Sequence, residues 1–226
     1  MGKKGASMAC ALRRLASLAK ARLACRYCPP GLLSFRLSCY CLWVIVAMAG
    51  LPGSGKSTIA EALAQLLPGQ VISKDEIRRE LFSEDEIDYS QAQDAVCFDE
   101  MLRLTEETIA RSPGGACAIL DGRTFSRADD LEEVKELADR LEEPLYVIHC
   151  VCSDEEARKR IEADIQTASH PAGNRNYGLY VEIKKRQEAL PFPALHLNTE
   201  LDLNACLSLC LNYLGRPLDP RLSFSR

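Results

Sequence analysis

Trp43-Val-Ile-Val-Ala-Met-Ala49 runs directly into Gly50-Leu-Pro-Gly53-Ser54-Gly55-Lys56-Ser57-Thr58, and then into Ile59-Ala-Glu-Ala-Leu-Ala-Gln-Leu-Leu67. The first segment is a short apolar run rich in β-branched residues, the pattern of a strand covered on both faces. The last shows helical spacing and strong helix formers, closed by Pro68-Gly69. Between them lies G-x-x-x-x-G-K-S, in the strand, loop, helix order that this motif requires. Gly50, Gly53 and Gly55 allow the loop's backbone N–H groups, that of Ser54 among them, to approach phosphate oxygens with no Cβ in the way. The helix start, through Lys56, Ser57 and Thr58, offers unpaired N–H donors and a positive dipole end to the same anion. Lys56 supplies a point charge for the β- and γ-phosphates, and the Ser57 hydroxyl a ligand for Mg²⁺. The segment predicts binding of ATP with Mg²⁺.

Working outward, Gln70-Val-Ile-Ser73 is a second short strand, followed by Lys74-Asp75-Glu-Ile-Arg78-Arg79-Glu-Leu81. Ligands of open α/β sheets sit beyond the carboxyl ends of the strands, so Asp75 falls where an acceptor hydroxyl would lie. A carboxylate there can take the hydroxyl proton during attack on the γ-phosphate. Arg78, one turn on, faces the same way and suits an anionic or polar acceptor. The alternative for Asp75 is a helix cap. Residues 90–112 read as a helix through Val96, Met101, Leu104, Thr108 and Ile109. Ala116-Cys-Ala-Ile-Leu-Asp121 is another buried strand, whose terminal acid is placed either to hold Mg²⁺ through water or to orient Arg78.

The set Gly50–Thr58, Ser73-Lys-Asp75-Glu-Ile-Arg78 and Ile119-Leu-Asp121-Gly122 is similar to P-loop kinases of the polynucleotide kinase, chloramphenicol phosphotransferase and zeta-toxin-like group, with an AAA-type ATP-binding kinase domain. The resemblance covers about residues 43–214 and leaves the acceptor open. It implies Asp75 as general base, Arg78 as an acceptor-side contact, and the Arg-orienting role for Asp121. Arg123 departs from the small residue usual in that group. This extra cation near the acceptor mouth favours an anionic acceptor.

Residues 126–141 predict a helix with an acidic first turn, and Leu145–Val151 a strand, with His149 inside it as a core histidine. Ser153 followed by Glu156 forms a capping-box pattern. The helix it opens, the turn-rich Ala168–Tyr177 and a helix resuming at Tyr180 make the layout of a kinase lid over about residues 153–190. Its closure would bring guanidinium groups towards the phosphates. Arg160 and Arg175 are candidates for the transferring phosphoryl and Arg158 for the nucleotide, while His170 is structural or exposed. Leu195–Asn198 and Leu203–Leu214 complete a three-layer α/β P-loop fold with a five-stranded parallel sheet and a helical lid.

Composition divides the chain at the same place. The 226 residues carry 28 Lys and Arg against 32 Asp and Glu, a net charge of −4. Residues 1–43 hold eight of the basic side chains and no acid, so the remainder is net −12. Residues 1–42, with five of the eleven cysteines, read as an extension outside the fold: disordered, a targeting leader, or sequence ahead of the natural start. The tail from 215 to 226 is Pro- and Ser-rich. The apolar run Leu42–Ala49 is too short to cross a bilayer. The odd cysteine total and irregular spacing argue against a disulfide framework and fit a reducing, cytoplasmic setting, with organelle import as the alternative. Cys117 and Cys150 suit buried strand positions. The acidic body lacks the broad basic stripe of an extended nucleic-acid binder. The expected activity is transfer of the γ-phosphate to a hydroxyl of a small molecule or a nucleic-acid 5′ end. The alternatives are a nucleotide-dependent switch without a dedicated acceptor and a toxin-like nucleotide-sugar kinase.

Overall fold

The computed structural model describes residues 43–111, 117–125, 127–167 and 176–215. The amino-terminal extension, the tail beyond Gly215, His170 and Arg175 lie outside them. Five strands, β1 (Val44–Ala49), β2 (Gly69–Ser73), β3 (Cys117–Asp121), β4 (Leu145–Val151) and β5 (Leu195–Asn198), pair in parallel in the order β2-β3-β1-β4-β5. Seven helices connect and cover them: α1 (Lys56–Leu66), α2 (Lys74–Leu81), α3 (Gln91–Arg111), α4 (Ala128–Arg140), α5 (Asp154–Thr167), α6 (Tyr177–Arg186) and α7 (Leu203–Tyr213). This is the three-layer α/β fold expected from the sequence. Among the described residues, no helix is long and apolar enough to cross a membrane.

The central strand β1 is buried along its whole length. Its alternation sends Val44, Val46 and Met48 into a core with α1 and α7, and Ile45, Ala47 and Ala49 into a second core with α3 and α4. Each fully buried Val, Ile or Met side chain among them contributes about 1.5–3 kcal/mol. Cys117 and Cys150 lie in these strands as small buried hydrophobes, and burial pushes the Cys150 thiol up to about 12.

Several local details differ from expectation. On α3 the buried face is Cys97, Phe98, Met101 and Thr105, whereas Val96 is 48% exposed. The helix lies against both α2 and the sheet, so its contact stripe is rotated from the one that Val96 and Thr108 suggested. Thr105 is tolerated there because its hydroxyl donates to Met101 O at 2.8 Å. Only half of the capping box forms at α5. Ser153 Oγ accepts from Glu156 N, but Ser153 N donates to Glu200 Oε1 while the Glu156 carboxylate receives Arg160 Nε. Helix α6 starts at Tyr177, ahead of Tyr180, because Asn176 Oδ1 caps it through Leu179 N at 2.9 Å. His149 is half-buried at the end of β4, not in the core. Its Nδ1 lies 3.2 Å from His196 Nδ1 across the β4–β5 register, and burial, then His196 and Lys56, lower its pKa.

Candidate active site

The loop after β1 turns on three glycines of positive φ: Gly50 at 137°, Gly53 at 75° and Gly55 at 80°. At Gly53 a second constraint acts. A Cβ there would stand 2.7 Å from Ala157 O, so the base of α5 can dock on the loop only against glycine. Gly55 is the N-cap of α1, and the backbone donors of the first turn follow at Lys56, Ser57 and Thr58. Lys56 is buried, and its Nζ donates to Gly50 O and Leu51 O, each at 2.9 Å, so the ammonium spans the loop. The Ser54 side chain is also buried, whereas Thr58 is exposed.

An open cleft of about 670 Å³ runs from Pro52, Lys56 and Ser57 to α2, the start of α3 and the loop after β3. Asp75 and Arg78 both line it, with Arg78 Nη1 3.8 Å from Asp75 Oδ1. Ser73, not Asp75, is the N-cap of α2, so the carboxylate is not committed to that role. Arg78 is 3% exposed, and Asp94 from the first turn of α3 binds its Nη2. Asp94 also accepts from Lys74 Nζ at 3.1 Å, and the Arg78 guanidinium lies 4.8 Å from the Tyr89 ring centre. Tyr89 carries a φ of 53°, a strained conformation for a non-glycine residue at the cleft wall.

Asp121 ends β3, is buried, and has an Oδ1 without a hydrogen-bond partner. The Arg-orienting role expected of it falls instead to Asp94 and Asp75. A buried carboxylate oxygen that meets no protein donor, on the strand beside the P-loop strand, suits the hard oxygen chemistry of Mg²⁺. Asp121 and Ser57 are therefore the residues fitted to hold that ion.

Arg123 faces a different situation from the one its sequence position suggested. Its guanidinium lies over Phe98, 3.9 Å from the ring centre, and its Nη2 donates to Asp130 Oδ1 at 2.6 Å. The cation is thus neutralised by α4 and does not stand as an extra positive charge. Its Nε and Nη1 are buried without partners.

The lid arginines separate. Arg160 reaches the loop's own backbone: Nη1 donates to Thr199 Oγ1 at 3.0 Å and to Gly53 O at 3.4 Å, and Nη2 to Thr199 O at 3.0 Å. Arg158 is exposed, bonded to Glu162 and set over Tyr177, away from the loop. The residues that sequence reasoning missed are Asp94, Asp130, Tyr89 and Thr199. None belongs to a motif; the one trace is an acid in the first turn of a helix for Asp94 and Asp130 alike.

Loop, sheet order and cleft together define a P-loop NTPase of kinase-like α/β architecture. The chain belongs to the AAA domain family, which it matches over residues 45–167. Its fold is similar to that of a putative kinase from Chloroflexus aurantiacus (23% identity, TM-score 0.60, 76% of this chain and 98% of that one covered). It is similar to APS kinase from Mycobacterium tuberculosis, solved with AMPPNP and APS (17%, 0.56, 76% and 98%). A gluconokinase from Sinorhizobium meliloti is a third such structure (14%, 0.55, 79% and 94%). No curated protein matches the chain.

Proposed function

We propose that this protein is a kinase that moves the γ-phosphoryl group of ATP to a hydroxyl of a small molecule or a nucleic-acid end, with Asp75 as general base. The observation that carries the reading is the common cleft: Lys56 and Ser57 at one end, and the Asp75–Arg78 pair on the adjoining wall. The P-loop backbone and the N-terminus of α1 receive the phosphates, and Lys56 offers its charge to the β- and γ-groups. Asp75 accepts the acceptor's proton as the new O–P bond forms and the bond from the γ-phosphorus to the β–γ bridging oxygen breaks, so ADP leaves and the proton passes to solvent. Arg78, fixed on both sides by Asp75 and Asp94, positions the acceptor and the base. Ser57 and Asp121 would hold Mg²⁺, which would supply charge neutralisation to the phosphates. The APS kinase of similar fold was solved with AMPPNP, which supports ATP as the donor here.

The test compares Lys56→Ala and Asp75→Asn by ADP release and nucleotide titration against pooled sugars, nucleosides, antibiotics and 5′-hydroxyl oligonucleotides. Both variants should lose transfer, by about 10²–10⁴-fold for the base. Asp75→Asn should still bind ATP. Full transfer by Asp75→Asn would sink the general-base assignment.

A further inference from the structure

We infer that the acceptor is a neutral polyhydroxylated molecule of the sugar or cyclitol kind, and not one bearing phosphate or carboxylate. This deepens the kinase reading of the same cleft and rests on it. Apart from Lys56, which serves the triphosphate, and the exposed Arg186 at the end of α6, the cations on the cleft wall come with their own carboxylates. Arg78 and Lys74 share Asp94, Arg123 is held by Asp130, and Arg127 by Asp129 at 3.1 Å. The inner three cations are mostly covered: Lys74 is 7% exposed, Arg78 3%, and the Arg123 side chain 17%.

An anionic acceptor group would have to displace Asp94 or Asp130 and then remain beside the displaced carboxylate, a like-charge contact in a partly desolvated site. A hydroxyl has no such conflict. It donates and accepts at once, which is the complement of a wall where guanidinium and carboxylate groups alternate. Leu179 and Ile183 of α6 also line the cleft, with aliphatic surface suited to the C–H face of a sugar ring. A nucleic-acid 5′ end fits less well, because its first phosphodiester would bring a charge to this paired wall.

The experiment uses the full chain saturated with AMPPNP and Mg²⁺, so that the P-loop is filled, and titrates inorganic phosphate by calorimetry. Asp130→Asn, which unpairs Arg123, should bind phosphate at least about tenfold more tightly than the wild type. Phosphate binding by the wild type as tight as by Asp130→Asn, and lost in Arg123→Met, would overturn the inference. A second measurement stands if Asp130→Asn fails to fold. Wild-type ADP release from ATP is followed with a pool of neutral sugars, cyclitols and nucleosides, and with the phosphate monoesters of the same compounds. The neutral pool should raise release and yield a product heavier by one phosphoryl group. Stimulation by the monoesters or by 5′-hydroxyl oligonucleotides instead would overturn it. The AMPPNP titration comes first, so failure to bind nucleotide strikes the kinase reading and is distinguished from failure of the acceptor class.

Discussion

Arg160 of α5 and Thr199, the residue that follows β5 by one position, are clasped by two hydrogen bonds. Guanidinium nitrogens donate to the Thr199 hydroxyl and to its carbonyl, each at 3.0 Å. The same hydroxyl lies 2.8 Å from Ser54 O, so one side chain just past the last strand joins α5 to the phosphate-binding loop. Thr199→Val keeps the shape and removes the bridge. It should lower stability by about 1–2 kcal/mol and weaken ATP binding several-fold, read by urea unfolding and nucleotide titration. Unchanged nucleotide affinity would mean that the clasp does not hold the loop.

Gly53 bears on the same junction from the loop side. Gly53→Ala sets a methyl group 2.7 Å from Ala157 O and forces an L side chain to a φ of 75°. The left-handed conformation alone costs about 1–2 kcal/mol, so the total loss should exceed that. Thermal melts would show it, and proteolysis should become faster at the base of the lid as α5 is pushed off the loop.

Asp94→Asn removes the carboxylate shared by Arg78 and Lys74. A fully buried partner would cost about 3–5 kcal/mol. Asp94 is 41% exposed and Asp75 remains near Arg78, so about 1–2 kcal/mol is expected after screening by water. Transfer should fall more than ATP binding does, because the pair lies on the cleft wall proposed for the acceptor. The comparison of kcat with nucleotide affinity separates this from a merely structural loss.

Glu143 gives a pH signature independent of the site. Burial, then the neighbouring Glu142, raise its pKa to about 7. The folded state therefore holds a proton that the unfolded state releases near the ordinary glutamate value. This contribution is complete below about pH 4.3 and is lost as the pH rises through 7. Glu143→Gln should raise Tm by about 3 °C at pH 8, after allowance for the half-exposed site, and by nothing at pH 4. An equal effect at both pH values would remove the charge as the cause.

The local grammar of this chain was legible without coordinates. The strand from Trp43, the glycines of the loop, Lys56 and Ser57 each answer a backbone or phosphate requirement confined to a few successive residues. The unbroken apolar run of β1 and the break at Pro68-Gly69 placed the elements for the same reason. The α3 stripe escaped because its face is chosen by two neighbours, α2 and the sheet, which periodicity alone cannot weigh.

The amino-acid sequence by itself determined a nucleotide-binding loop on a parallel α/β sheet, with Asp75 and Arg78 beyond the second strand. Tertiary structure alone decided the charge that an acceptor would meet. Asp94 reaches Arg78 from another helix, Asp130 covers Arg123, and Thr199 joins a loop 145 residues earlier in the chain. Such pairs obey no spacing rule, since the folded path of the backbone sets their distance. An arginine that reads as an unpaired cation along the chain can therefore be neutral in its final surroundings.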